Sequence, residues 1–423
     1  MGINQEIIPD DWDIKILGDI ADVSSGGSAP QGDKYFNGEN PFVRVQHIDQ
    51  DSDSINRYDL ITDEAVKKYK LKKYKSGTIV FPKSGASIYL EKRAVLPVDA
   101  YIVSHLCAVN SAQRDVYQDF LFYSLKHILL SKGKADGYPT LNLSEVKRVA
   151  IPVPAFEEQK KVVRVLSVIK KAIAQQEKII AKTKELKRSL MHRLFTYGLR
   201  GEELKETEIG LMPKSWNVVS LRDYVELITK GSSPNWQGFE YCQEGITFIR
   251  SQNIGWGDLL LNEVQHLPEG FNKKEKKSII KENDVLINLV GASIGRVTIA
   301  TKVIEGGNLN QAVAIVRLRL NSFTPKFLVQ YLLTQRGQKQ IHLNKKEIAR
   351  ANISLQDVNN FLLVRPEMEE QEEITKILSN VDKRIQQSET RKQTLQALFK
   401  SMLQLLMTGQ VRVKDIDFGE DYE

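Results

Sequence analysis

Arg44 and Gln46 recur 206 positions later as Arg250 and Gln252, and the second pair is followed by Asn253. These residue types are equipped for one chemistry in particular. Arginine makes paired hydrogen bonds to the guanine edge, and glutamine or asparagine makes them to adenine. An arginine on a strand edge is also an ordinary surface residue, so both readings stay open. A second group is basic: Lys67, Lys68, Lys70, Lys72, Lys73 and Lys75 interleave with Tyr69 and Tyr74, and Lys273, Lys274, Lys276 and Lys277 fall at the equivalent place. Such clusters suit phosphate contact or a solvated helix face. Third, Gly-Ala-Ser-Ile occurs at 85–88 and again at 291–294, where it continues into Gly295-Arg296. Ser87, Ser293 and Arg296, with the nearby amides, are candidates for an anion, against a tight turn after a strand.

Catalytic constellations are missing. No Gly-Lys-Ser/Thr follows the glycines at P-loop spacing. His47, His105, His127, His192, His266 and His342 are scattered, and none stands at metal-ligand spacing to another; His105 is expected in a turn or in the core. The Pro-Pro-aromatic tetrapeptide of an amino-methyltransferase is absent, as is a lysine-and-carboxylate nuclease centre repeated in both halves. Cys107 and Cys242 are too few for a disulfide framework. No apolar run reaches membrane-span length and no signal-peptide pattern opens the chain, so a cytoplasmic protein without membrane attachment is expected.

The elements that would position these residues are duplicated. Pro154-Ala155-Phe156-Glu157-Glu158-Gln159 returns as Pro366-Glu367-Met368-Glu369-Glu370-Gln371, and residues 154–200 align with 366–412 without a gap. Neither copy contains a further Gly or Pro until Gly198 and Gly409. Apolar residues recur at alternating steps of four and three, which predicts two long helices with one apolar stripe each. The first seam is Val162, Leu166, Ile169, Ile173, Gln176, Ile180, Thr183, Lys187, Leu190 and Leu194. The second is Ile374, Leu378, Val381, Ile385, Ser388, Lys392, Leu395, Phe399, Met402 and Leu406. The natural partner of each helix is the other, over roughly 50 Å at about 1.5 Å per residue.

Ahead of each helix lies a globular half. Pro9-Asp10-Asp11-Trp12 matches Pro213-Lys214-Ser215-Trp216, and Gly27-Ser28-Ala29-Pro30 matches Gly231-Ser232-Ser233-Pro234. Thr78–Phe81, Asp284–Asn288 and Ala312–Leu318 read as strands, and Asp119–Leu130 and Pro325–Thr334 as short helices. The expected fold is α+β: a tandem pseudo-twofold repeat of two mixed α/β globular domains held apart by two long helices packed as an antiparallel coiled coil. Its parts are a first domain at 1–155, a helix at 156–200, a polar linker and second domain at 201–366, a helix at 367–411 and an acidic tail at 412–423, whose end from Asp415 to Glu423 is expected to be mobile. Two such readers about one DNA turn apart, roughly 34 Å, face the same side of a duplex. Net charge is +7, and residues 157–200 alone hold 12 Lys/Arg against 4 Asp/Glu. That basic stripe, without an acidic partner helix, points to a polyanion or an acidic protein surface.

The doubled Pro-x-x-Glu-Glu-Gln helix start, each after a half with an early Trp and a Gly-Ala-Ser-Ile turn, resembles the specificity subunits of type I restriction-modification enzymes over nearly the whole chain. The resemblance implies two target recognition domains reading a bipartite DNA sequence, with the helices setting the gap. It also implies a non-catalytic scaffold for two methyltransferase subunits, which use S-adenosylmethionine, and for motor-nuclease subunits, which use ATP; this chain itself would hold no cofactor. The halves have diverged more than the helices, so an asymmetric target is expected. The rival classes are an enzyme with its own catalysis and a structural coiled-coil spacer presenting two protein-binding modules.

Overall fold

The computed structural model describes residues 8–50, 52–132, 139–343 and 352–418. The chain divides into two compact units, residues 1–177 with 390–423, and residues 178–389. Both long helices, Phe156–Tyr197 and Met368–Met407, pass from one unit into the other.

The units share one topology, except that the second sheet of the first unit has an additional edge strand, Lys73–Tyr74. In the first, Ala21–Ser25, Leu106–Ser111, Ile79–Pro82 and Ala94–Val95 form an antiparallel sheet in that spatial order. Val225–Lys230, Val313–Leu318, Val285–Asn288 and Val297–Ile299 repeat it in the second. A second sheet holds Phe36–Val43 between Asp59–Ile61, antiparallel, and Ala100–Ile102, parallel. Its counterpart holds Ile246–Ile249 between Gln265–Leu267 and Asn308–Leu309, with the same directions. Ile79–Pro82 and Val285–Asn288 are buried along their whole length, and Leu106–Ser111 and Val313–Leu318 over their first four residues, which explains their continuous apolar runs. A two-stranded ladder zips the opening of each half to the strand before its long helix: Asp13 opposite Val153, and Asn217 opposite Arg365.

The repeated glutamine of the helix start is a clamp. Gln159 Oε1 accepts the Tyr117 amide at 2.8 Å while Nε2 donates to the Pro154 carbonyl at 2.9 Å. Gln371 does the same with the Thr324 amide and the Pro366 carbonyl, at 3.1 and 3.0 Å. Tyr117 and Thr324 cap the short helices Gln118–His127 and Pro325–Leu332. Each clamp therefore ties a long helix start to a short helix start, and both glutamines are fully buried.

Within each unit the long helices run antiparallel. In the first, Val162, Val163 and Leu166 share a core with Leu403, Leu406 and Met407, while Glu177 pairs with Lys392 at 2.7 Å. In the second, Leu194 and Phe195 share a core with Ile374 and Leu378, and Lys187 meets Asp382 at 2.6 Å. All the apolar seam residues are buried or half-buried; Ile173, Ile180, Leu190, Val381, Leu395, Phe399 and Met402 are half-buried, and Ile169 and Ile385 buried. The expectation that each helix mainly partners the other needs correction at the ends. There the seams enter the globular cores, packing with Phe120, Leu121 and Leu125 in one unit and Phe327, Leu328 and Tyr331 in the other. The polar interruptions at Lys187 and Lys392 carry interhelical ion pairs.

Three further expectations change. The basic helix does face acid, since Lys184 pairs with Glu389 and Lys187 with Asp382 on the second helix, and Lys170 pairs with Asp53. Lys171, Lys178, Lys182, Arg188 and Arg193 stay exposed. The linker is ordered by a hairpin, Leu204–Lys205 against Met212–Pro213, because Leu199 and Ile209 have apolar surface to bury on the second core. The tail is anchored through 418: Val413 is buried, Arg412 binds Asp11 and Glu158, and the Arg164 guanidinium lies 5.0 Å from the Phe418 ring. Residues 419–423 of that tail lie outside the described residues.

Candidate nucleic-acid interface

The strands Phe36–Val43 and Ile246–Ile249 each end in a 3-10 turn, Val45–His47 and Ser251–Asn253. Each turn is closed the same way. His47 Nδ1 accepts the Arg44 amide at 3.0 Å, and Asn253 Oδ1 accepts the Arg250 amide at 3.0 Å. Burial pushes His47 below its ordinary pKa, in keeping with a neutral ring that accepts through Nδ1. Asn253 also donates to the Leu260 and Glu263 carbonyls and is 1% exposed. Its hydrogen-bonding capacity is consumed internally, so the expectation that Asn253 reaches a base edge is corrected: it is a cap. Gln46 and Gln252, the middle residues of the turns, are exposed.

The two arginines differ. Arg44 Nε meets Asp59 Oδ2 at 2.6 Å, and its guanidinium lies 5.3 Å from the Phe36 ring. Gln265 stands where Asp59 would be, and among the described residues no carboxylate is in ion-pair range of Arg250. Arg250 lies over the Tyr241 ring, 6.0 Å from its centroid. The positive charge is neutralised in the first half and retained in the second.

The lysines are positioned by the strand paired with each turn-bearing strand. Asp59–Ile61 leads into the helix Asp63–Lys68, and Gln265–Leu267 leads into Gly270–Lys274. Thr62 caps the first, accepting the Ala65 amide at 3.2 Å. Lys67 and Lys68 thereby match Lys273 and Lys274 at helix C-termini, and all four are exposed. Lys70, Lys276 and Lys277 follow them, also exposed. Lys72 is exposed beyond that helix and Lys73 sits on the strand Lys73–Tyr74, so the basic run is not one surface. The interleaved aromatics face inward: Tyr74 is 4% exposed, and Tyr69 accepts the Gln31 amide through its hydroxyl at 2.9 Å. Lys68 donates to the Tyr35 hydroxyl at 2.6 Å and thereby lowers that phenol's pKa.

Because each ladder is antiparallel, the glutamine turn and the lysine helix emerge at opposite ends of it. A loop missed by sequence reasoning spans the gap. In the second half it runs from Pro234 to Cys242, touching Lys274 through the Gln237 carbonyl and Arg250 through Tyr241. In the first half Tyr35 meets Lys68 and Phe36 meets Arg44. Exposure of loop aromatics carries no sequence period, so this surface left no signal to find.

The Gly-Ala-Ser-Ile segments are tight turns, opened by Gly85 and Gly291 at φ +79° and +75°. The amides of Gly85, Ile88, Ile294, Gly295 and Arg296 already bond within the chain, which argues against the anion cradle. Ser87, Ser293 and Arg296 are half-buried. His105 lies in a turn, as one of the two expectations had it; it is exposed and stands 2.5 Å from Ser84 Oγ through Nδ1. The equivalent positions in the second half are Val290 and Ala312, whose carbonyl takes the Leu289 amide as that of His105 takes the Lys83 amide, so this pair is not repeated. Among the described residues no group of acidic, His or Cys side chains is arranged to hold a metal, and no helix is long and apolar enough to cross a membrane.

The family described as type I restriction modification DNA specificity domain matches twice, over residues 9–185 and 213–397. The type I restriction enzyme MjaVIII specificity subunit of Methanocaldococcus jannaschii is 26% identical over 421 residues, 97% of this chain and 95% of that protein. A solved chain from work on complex assembly and conformational transition of the type I R-M system superposes with a TM-score of 0.62 at 18% identity, covering 96% of this chain and 99% of the other. The type I restriction-modification S subunit from M. genitalium gives 0.57 at 15% identity, over 96% and 98%. With two family matches, one in each of two like-folded halves, the chain belongs to the type I restriction-modification DNA specificity family.

Proposed function

We propose that the chain is a cytoplasmic, non-catalytic reader of a bipartite sequence in double-stranded DNA, each half recognising one part. The observation that carries this reading is the repeat of one surface: an exposed glutamine turn and an exposed lysine helix end, built on equivalent strands in both halves. The lysines hold phosphates and so set register, and Gln46 and Gln252 read bases. Two adenine methyltransferase subunits would supply S-adenosylmethionine, and motor-nuclease subunits would supply ATP-driven cleavage. The long helices, 42 and 40 residues, would carry the contact to the methyltransferases and set the gap. The divergence of Asp59 to Gln265 supports an asymmetric target.

Co-expression with a methyltransferase subunit, followed by mapping methylated adenines across the host genome, tests the reading. A split motif with two unlike parts and one fixed gap is expected. A continuous motif, or no methylation despite a stable complex, would move weight to the coiled-coil spacer.

Two variants refine the test. Gln252→Ala should relax one base position in the second part of the motif and leave the first unchanged, at a cost of about 1–3 kcal/mol for that base; Gln46→Ala should do the converse. Methylation maps of each variant read this directly, and loss of both parts together would refute the assignment. Inserting seven residues after Lys182 and seven after Thr394 should lengthen the gap and preserve both parts, since a heptad keeps the seam in phase. Altered half-sites in that map would mean the helices read bases.

A further inference from the structure

The chain has four tryptophans. Trp12 and Trp216 are buried, at 6% and 0% exposure, whereas Trp236 is 82% exposed. An indole in water is an unspent apolar surface, and its surroundings say what it suits. Trp236 is the middle residue of the 3-10 turn Asn235–Gln237, in the loop that joins the lysine helix to Arg250.

That turn is held from several sides. The Gln237 and Phe239 amides donate to the Pro234 carbonyl at 2.9 and 3.0 Å, and Gln237 Nε2 donates to Ser232 Oγ at 3.0 Å. Lys274 Nζ donates to the Gln237 carbonyl at 3.1 Å, one residue from the indole. The Phe239 ring packs edge-on against Phe271 at 5.5 Å. The ring is thus presented on a fixed support, so little ordering entropy opposes its use. Along the loop, Lys274 meets the residue next to the indole, and Arg250, without a carboxylate partner among the described residues, lies over Tyr241 at the far end, with the exposed Glu240 between them.

The first half's loop is two residues shorter, has its 3-10 turn at Asp33–Tyr35 and carries no tryptophan. Counting from Pro30 and Pro234, the position of Trp236 is Gly32, at φ +99° and with no side chain.

Resting on the reading above, we infer that Trp236 is a DNA-contacting anchor peculiar to the second half. Its ring lies against the bases of the second half-site while Lys273 and Lys274 hold the adjoining phosphates. A flat apolar face beside a lysine complements stacked bases edged by phosphate, and apolar side chains inserted at base steps are a recurrent groove device. Every base offers a π face, so the ring contributes affinity while Gln252 contributes discrimination.

The test uses the full chain in complex with its methyltransferase subunits and short duplexes carrying the mapped motif, the motif with its first part scrambled, or the motif with its second part scrambled. Trp236→Ala should weaken binding to the intact motif about tenfold or more, with Trp236→Phe intermediate. On the duplex with the second part scrambled the loss should largely vanish. With the other exposed tryptophan, Trp256 (54% exposed), replaced by Phe, the intact motif should also quench the part of the emission that is lost in Trp236→Phe. Binding within twofold of wild type on every duplex would overturn the inference while leaving the bipartite reading intact. A complex that fails to assemble without DNA would assign the indole to a protein contact, and so would also overturn it. A wild-type complex with no preference among the duplexes would instead remove the reading itself, and the inference with it.

Discussion

Trp216→Ala is expected to cost the second unit about 3–5 kcal/mol, the range for emptying the site of a large buried aromatic. Trp216 is fully buried and packs in the core that takes the end of the first long helix. Its Nε1 donates to Glu370 Oε2 at 3.0 Å, while Glu370 Oε1 accepts the Leu199 amide at 2.8 Å. Glu370 is 3% exposed, so losing the indole donor leaves a buried carboxylate oxygen without that partner. Trp216→Phe keeps most of the ring and should cost less, chiefly through Glu370. Urea unfolding of the purified chain measures both variants. A loss below 1 kcal/mol for the alanine variant would show that the helix end does not depend on this residue. The equivalent Trp12→Ala should cost less than Trp216→Ala, because Trp12 Nε1 has no hydrogen-bond partner among the described residues and its glutamate is satisfied elsewhere.

That other partner is Arg412, and Arg412→Ala is expected to destabilise the first unit by about 2–3 kcal/mol. This is below the range for deleting one member of a fully buried ion pair, because the Arg412 side chain is 23% exposed. Arg412 Nη2 meets Glu158 Oε2 at 2.7 Å, and Glu158 is 4% exposed. The same guanidinium reaches the half-exposed Asp11 at 2.6 and 2.8 Å. Burial alone would raise the Glu158 carboxyl, but the Arg412 hydrogen bonds and charge outweigh it and hold it below its ordinary value. Arg412 also holds Asp11 well below the usual carboxylate range. A depressed folded-state pKa contributes stability that is present above the unfolded pKa, about 4, and lost as pH falls through the folded values. The gap between wild type and Arg412→Ala should therefore be full near neutrality and shrink below about pH 4. A gap independent of pH would show that Arg412 acts through packing over Trp12, whose ring lies 5.6 Å from the guanidinium. Glu158→Gln, which keeps the shape and removes the charge, should lose less than Arg412→Ala.

Much of the fold was legible because it is periodic or repeated. A seam such as Val162, Leu166, Ile169 shows its buried face through a spacing of three and four, whatever lies opposite. The strands Val285–Asn288 and Val313–Leu318 were visible as apolar runs, and the doubled helix start as a word written twice. Strand order was not legible, since the partners Phe42 and Tyr101 are joined by pairing with no trace in local composition.

The candidate site divides along the same line. Sequence by itself determined that the chain is doubled, that each half precedes a long helix, which family it belongs to, and that lysines recur at Lys67–Lys68 and Lys273–Lys274. These properties reside in spacing and residue type. Tertiary structure alone decided which side chains remain available. Asn253 and Gln252 are neighbours of similar chemistry, yet the Leu260 and Glu263 carbonyls occupy one and leave the other in solvent. Arg44 and Arg250 are equivalent in sequence, and a partner strand supplies a carboxylate to only the first. Arg412 finds Asp11 across 401 positions of chain. The physical reason is common to all three: a polar group is free to meet a ligand only if folding has not already satisfied it, and its satisfying partners arrive from distant parts of the chain.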